Sequence, residues 1–107
     1  MKGLNRVSLI GHLGKDPDLV LINESTRVAK VSMATSESYR NKEGDIKTQT
    51  DWHTLVIWGK LADLASAHLR KGTKLFVEGK LKTRKYEDKL GVTKYVCEVI
   101  VDSIILI

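Results

Sequence analysis

The sequence has 107 residues, 42% of them hydrophobic, which is enough for one domain with a single core. Its formal charge of +5 favours an anionic partner. The single cysteine, Cys97, excludes an internal disulfide framework, and no apolar run is long enough for a signal peptide or a membrane span. We therefore expect a cytoplasmic protein with no membrane association.

Strand patterns fill the first half of the sequence. NRVSLIGHLG predicts a first strand that ends at two glycines, and the turn signal KDPD follows it. LVLI and RVAKVSMATSES supply further strand material with alternating side chains. The polar segment YRNKEGDIK predicts a hairpin tip, with Gly44 able to adopt the positive φ that a tight turn needs.

The next strand, TQTDWHTLVIWGK, contains both tryptophans of the chain, six residues apart. An even separation places Trp52 and Trp58 on one face of a strand, whereas His53, Leu55 and Ile57 share the opposite face. This segment alone leaves two interpretations open. Either the aliphatic face packs on the core and the indoles point outward, or the strand is buried on both faces.

After Gly59 the apolar residues recur at the spacing of a helix. The segment KLADLASAHLRKG, residues 60–72, predicts a helix of about three turns whose C-terminus is formed by Arg70, Lys71 and Gly72. Its residues at helical spacing are Leu61, Leu64, Ala65, His68 and Leu69.

Strand patterns return in KLFVEGKLKTRKY and, after a hairpin tip at DKLG, in TKYVCEVIVDSIILI. The order is three strands, a helix and two further strands. This order predicts an all-β fold, a five-stranded Greek-key OB-fold barrel with one α-helix between the third and fourth strands.

The fourth predicted strand carries a basic stripe. If its alternation persists, one face carries Lys80, Lys82, Arg84 and Tyr86, together with Phe76 and Glu78 nearer its start. Residues 80–94 hold six basic residues against two acidic ones. In isolation such a stripe is typical of a solvated strand face.

Aromatic rings beside basic residues recur in other elements, at Tyr39 next to Arg40 and at the two tryptophans. Flat rings suit the π-faces of unpaired bases, and Lys or Arg neutralises phosphates. Duplex DNA hides those base faces, and its readers usually carry a recognition helix. The combination therefore favours a single-stranded nucleic acid as the ligand.

Catalytic and metal chemistry have little support in the sequence. His12, His53, His68 and Cys97 show no metal-ligand spacing, and Asp51 with His53 has no nucleophile near it in sequence. GHLGK matches neither G-x-G-x-x-G nor a Walker loop and is interpreted as a turn that ends a strand. We expect no enzyme activity, no metal and no cofactor.

Four segments, in this order, resemble the bacterial single-stranded DNA-binding protein (SSB) family: NRVSLIGHLGKDP, ATSESYRNKEG, QTDWHTLVIWGKLADLASAHLRKG and VEGKLKTRKYEDKLG. The resemblance runs over essentially the whole chain. It implies that residues 1–107 form a single OB-fold domain that binds and protects single-stranded DNA, independently of sequence, in replication, recombination and repair. It also implies a homo-oligomer, usually a homotetramer.

The resemblance assigns roles to individual residues. The family's base-stacking aromatics correspond to Tyr39, Trp52, Trp58 and Tyr86. Its phosphate-contacting positions correspond to Arg6, Lys60, Arg70, Lys71, Arg84 and Lys85, and the basic stripe adds Lys82. Its subunit contacts correspond to His53, Lys74, Phe76 and Glu78, with a simple core role as the alternative for His53 and Phe76.

The family usually continues past the barrel into a flexible tail rich in Gly, Pro and Gln, whose acidic, hydrophobic tip recruits repair and replication enzymes. The sequence ends at Ile107, so tail-mediated protein partners are not expected from these residues. Two other functions stay open. One is an OB module that binds RNA, and the other is a protein-interaction module of the primosome type, which would be expected to lack the four-aromatic set.

Overall fold

The computed structural model describes residues 3–107, so the first two residues of the predicted domain lie outside the described part. In chain order the elements are β1 (Val7–Leu13), β2 (Asp18–Leu21), β3 (Arg27–Arg40), β4 (Ile46–Trp58), α1 (Lys60–His68), β5 (Lys74–Glu87) and β6 (Thr93–Leu106).

Five of these strands close into a barrel. β1 pairs with β5, β5 with β6, β6 with β4 and β4 with β3, and β3 returns to β1 at the pair Ala34–His12. The β4–β6 pairing is parallel, with Leu55 opposite Val99, and the other pairings are antiparallel. The predicted all-β OB-fold barrel is confirmed.

The sixth strand, β2, changes the strand count but not the barrel. It has four exposed residues and pairs with β3 outside the closed ring. The helix therefore follows the fourth strand along the chain, where the prediction placed it between the third and fourth. When only the five barrel strands are counted in chain order, the helix still lies between the third and the fourth, β4 and β5.

Alternate residues of the barrel strands point inward and fill the core. Successive inward positions of the barrel strands supply the largest fully buried side chains, which are Met33, Leu55, Ile57, Leu75, Val31 and Val77. The predicted inward direction of Leu55 and Ile57 is therefore correct.

The helix α1 is shorter than predicted, because Leu69 leaves it. Leu69 has extended backbone and buries its side chain in the core cluster. Arg70 then donates from Nη1 to the carbonyl oxygens of Ser66 and Leu69, at 2.7 Å each. Residues 70–72 therefore form a turn rather than a last helical turn, and Gly72 adopts a φ of 89° in it.

The predicted stripe of the helix is buried only in part: Ala65 and Leu69 are buried and Leu61 packs against the core. Ala62 and Ala65 pack into the core, whereas Leu64 and His68 are exposed. Small alanine side chains let the helix axis approach the barrel closely. The helix contacts β2, β3 and β4.

Candidate nucleic-acid interface

A groove with a volume of about 590 Å³ lies on the outer face of the barrel and receives side chains from β2, β3, β4, β5 and β6. Its floor is apolar and includes Val28, Val56 and Ile100. Val56 is only 3% exposed although it lies on the outer face of β4. These residues give the groove an apolar floor on which flat apolar surface can pack.

The two tryptophans are exposed on the outer face of β4, with Trp52 at 62% and Trp58 at 46% of their full accessibility. Trp58 lines the groove and is registered opposite Val28 of β3. The two interpretations of this strand each hold in part. Burial on both faces is limited to the stretch around Val56, and both indoles point outward.

Trp52 lies outside the groove and is registered opposite the small residue Ala34 of β3. Its ring packs against Gly14, just beyond the end of β1, where a Cβ atom would clash with the indole. Gly14 is itself held to β3, because its N–H donates to the carbonyl oxygen of Ser32 at 2.9 Å. The GHLGK segment was interpreted from sequence only as a turn, but its Gly14 also forms the surface on which the Trp52 indole packs.

The two tyrosines of the predicted stacking set are exposed on hairpin arms that extend from the barrel. Tyr86 lies on the same face of β5 as Lys82 and is opposite Lys94 of β6. Tyr39 is opposite Lys47 of β4, an odd number of residues along that strand from Trp52. Because side chains alternate between the two faces, Tyr39 shares a face with the core-facing residues rather than with the tryptophans. The structure thus brings Tyr86 to the groove side and leaves Tyr39 on the other face of its hairpin.

A buried carboxylate lies in the groove. Glu98 of β6 is 5% exposed, and its Oε1 accepts a hydrogen bond from Arg84 Nε at 2.8 Å. Its Oε2 accepts a longer one from Arg84 Nη2 at 3.4 Å and lies 4.0 Å from Lys30 Nζ. The hydrogen bond and then the charge of Glu98 raise the pKa of the Arg84 guanidinium above its ordinary value.

Glu98 is a site residue that was not predicted from the sequence, because a single acid inside the apolar run YVCEVIV gives no sign of its partner. The sequence did show which face Glu98 occupies. It is two residues from Val96 and two from Ile100, and residues two apart on a strand share a face. Only the register of β5 against β6 brings Arg84 beside it.

The basic residues predicted to contact phosphates do not form one cluster. Lys82 and Arg84 line the groove, and Lys60 begins α1 two residues after Trp58. Lys85 is opposite Tyr95, on the other face of the β5–β6 hairpin from Lys82.

The three remaining basic residues lie apart from the groove walls. Arg6 precedes β1, and its Nη2 lies 3.5 Å from Oε1 of Glu78. Arg70 caps the end of α1 through its side chain, and the Lys71 backbone N–H donates to Asp16 Oδ1 at 2.8 Å. Within residues 3–107, Lys80, Lys82 and Asp18 of the groove form no ion pair, so the two lysines are its unpaired cationic groups.

The predicted subunit-contact residues lie on two surfaces. His53 Nε2 forms a 2.8 Å hydrogen bond with Thr35 Oγ1 in a partly buried position, which fits the alternative of a structural histidine. Phe76 lies outside the core cluster on the outer face of β5, between Ile10 of β1 and Ile105 of β6. Both isoleucines are exposed, so these three residues form an outward apolar patch.

Lys74 and Glu78 flank this apolar patch on β5. Lys74 is exposed and registered opposite His12, and Glu78 accepts a 3.0 Å hydrogen bond from Ser8 Oγ. Over residues 3–107, no group of three or more His, Cys, Asp or Glu side chains is placed to hold a metal ion. In the same part of the chain, no helix has the length and apolarity needed to cross a membrane.

A closed barrel of this topology, with exposed aromatics and free lysines around an apolar groove, defines an OB-fold binding module. The model of the single-strand binding protein family matches residues 4–107, and the chain belongs to that family. A solved structure described as the Plasmodium falciparum SSB complex with ssDNA is similar to it, with a TM-score of 0.91 and 34% sequence identity. The match covers 100% of this chain and 97% of the other.

Proposed function

We propose that the protein binds and protects single-stranded DNA without sequence preference. The observation that carries this proposal is the exposed indole of Trp58, which lines the same groove as Lys82, a groove with an apolar floor. An unpaired base can stack on the indole while the lysine neutralises a neighbouring phosphate. Membership of the single-strand binding family and the similarity to a complex with ssDNA support the same ligand.

The absence of sequence preference follows from the chemistry of stacking. Every base has a π-face, and an apolar floor offers no pattern of donors and acceptors that would distinguish one base edge from another. We assign base stacking to the exposed aromatics Tyr39, Trp52, Trp58 and Tyr86.

Phosphate contacts are assigned to Lys82, at the groove, and to the other basic positions of the family pattern: Arg6, Lys60, Arg70, Lys71 and Lys85. Arg84 differs from these, because its charge is paired with the buried carboxylate of Glu98, whereas Arg6 is largely exposed in its longer pair with Glu78. Together these contacts would track the strand around the barrel, with bases facing the aromatic surface and phosphates facing the lysines.

Replication, recombination and repair in the cytoplasm are the processes we propose, because they expose single strands that need protection. In this proposal each subunit contributes one OB-fold domain, residues 1–107, and no catalytic step is part of the role.

We further propose a homotetramer. The apolar patch of Ile10, Phe76 and Ile105 would be covered by another subunit, and the flanking charges Lys74 and Glu78 would set its orientation. His53 would support association indirectly, by fixing Thr35 in the β3–β4 hairpin.

Titration of intrinsic tryptophan fluorescence with oligothymidine tests the proposed ligand. Stacked bases should quench the emission of Trp52 and Trp58, and a matched RNA oligomer should compete only weakly. Unchanged emission together with no detectable complex would overturn the proposal. Equal competition by RNA would instead identify an RNA-binding module, and shortening of an end-labelled strand would identify a nuclease.

A further inference from the structure

The side chains of Arg84 and Glu98 are held together in the groove. Glu98 engages Nε and Nη2 of the guanidinium, so one edge of the Arg84 fork is occupied. The Arg84 Cζ atom also lies 6.0 Å from the centroid of the Tyr86 ring, within range of a cation–π interaction. Two neighbours therefore restrain the guanidinium.

The carboxylate of Glu98 depends on this pairing. It is almost fully buried, and a buried charge is tolerated only when it is paired and hydrogen-bonded. Lys30 contributes at 4.0 Å without a short hydrogen bond, so Arg84 is the main partner. A DNA phosphate that drew Arg84 away would leave this carboxylate poorly compensated.

Lys82 provides the contrast within the same groove. It is registered directly opposite Glu98, yet its side chain is exposed and forms no ion pair in the described part of the chain. Its charge is available to a phosphate at no cost to the buried acid. Lys82 and Arg84 are therefore neighbours on β5 with different electrostatic states.

We propose that Glu98 is a positioning residue that holds Arg84 beside Tyr86 as a flat stacking element and withholds its charge from the DNA backbone. The guanidinium is planar, and such planes stack on aromatic rings and on unpaired bases. Arg84 and Tyr86 then extend the stacking surface that begins at Trp58. This inference rests on the proposed binding of single-stranded DNA, and it gives Arg84 a role other than the phosphate contact predicted from sequence.

The test is the slope of log affinity for oligothymidine against log salt concentration, measured for the unmodified protein, three single variants of the groove, one double variant and one control variant. Arg84→Lys keeps the charge and removes the plane, so affinity should fall at least about fivefold, the lower end of the range for one stacked base, with an unchanged slope. Lys82→Gln should flatten the slope by about 0.7, the value for one phosphate contact on a single strand.

The third single variant, Glu98→Gln, should make the slope steeper by about 0.7, because the released guanidinium can engage a phosphate. This steepening should disappear in the double variant Arg84→Gln, Glu98→Gln, in which the groove holds a neutral pair. Glu87→Gln, at the exposed end of β5, is the matched control for loss of one acidic charge and should leave the slope unchanged. The denaturant midpoint of each variant is measured as well, and the slopes are compared only among variants that are folded.

An Arg84→Lys variant with unchanged affinity, or a Glu98→Gln variant with an unchanged slope, would overturn the inference while the unmodified protein still binds. Equal steepening by Glu98→Gln and Glu87→Gln would also overturn it, because general electrostatics would then be sufficient. An unmodified protein that binds no oligothymidine would overturn the proposed function itself, and that result is visible before any variant is made.

Discussion

The indole of Trp52 packs against Gly14, at a point where any larger residue would meet the ring: a Cβ atom at this position would lie 2.8 Å from Cη2. Gly14 follows β1 and Trp52 lies on β4, with β3 between them. The glycine thus sets how closely an exposed aromatic can approach the barrel.

Gly14→Ala should displace the indole and weaken binding of oligothymidine by up to about 1–3 kcal/mol, the contribution of one stacked base. The fold should survive, because Trp52 is largely exposed and its ring can move outward. Tryptophan emission and DNA titration provide the measurement. Gly3→Ala is the control, since no heavy atom lies within 4 Å of the added methyl group. Equal affinities for the two variants would show that the contact between Trp52 and Gly14 has no role in binding.

Trp58→Ala should cost much less stability than truncation of a buried aromatic side chain, which costs about 3–5 kcal/mol. The reason is that Trp58 is nearly half exposed above the groove floor. Leu55→Ala, on the core face of the same strand, is the matched control and should cost about 2–5 kcal/mol. Denaturant unfolding measures both. A Trp58→Ala variant as destabilised as Leu55→Ala would indicate a structural indole.

Phe76→Arg should weaken the proposed tetramer, because a buried arginine in the centre of the apolar patch would have no partner on the facing subunit. Light scattering at micromolar concentration measures the assembly. Leu64→Arg, on the exposed face of α1, adds the same charge away from the patch and should leave the assembly intact. A monomeric unmodified protein, or a Phe76→Arg variant that remains tetrameric, would contradict this interface.

The barrel and the exposed tryptophans could be predicted from sequence because both depend on period-two alternation. Along β4, parity separates the face of Leu55 from the face of Trp58, although it does not predict that Val56, on the tryptophan face, is buried. The predicted end of α1 was wrong for a tertiary reason: Leu69 adopts an extended backbone and buries its side chain in the barrel core.

Other parts of the candidate site depend on strand register and could not be predicted. The pairing of Arg84 with Glu98 joins residues that are adjacent only across β5 and β6. The contact between Gly14 and Trp52 spans three strands. Tyr39 shows the converse case, because its role was inferred from resemblance while its register places it on the face of the hairpin opposite the tryptophans.

The central claim is that the site has separate stacking and charge components, and the salt dependence of Trp58→Ala and Lys82→Gln tests it most directly. Trp58→Ala should weaken oligothymidine binding by about 1–3 kcal/mol and leave the slope of log affinity against log salt unchanged. Lys82→Gln should flatten that slope by about 0.7. The same change in slope for both variants, or normal binding by the folded fraction of Trp58→Ala, would contradict the account.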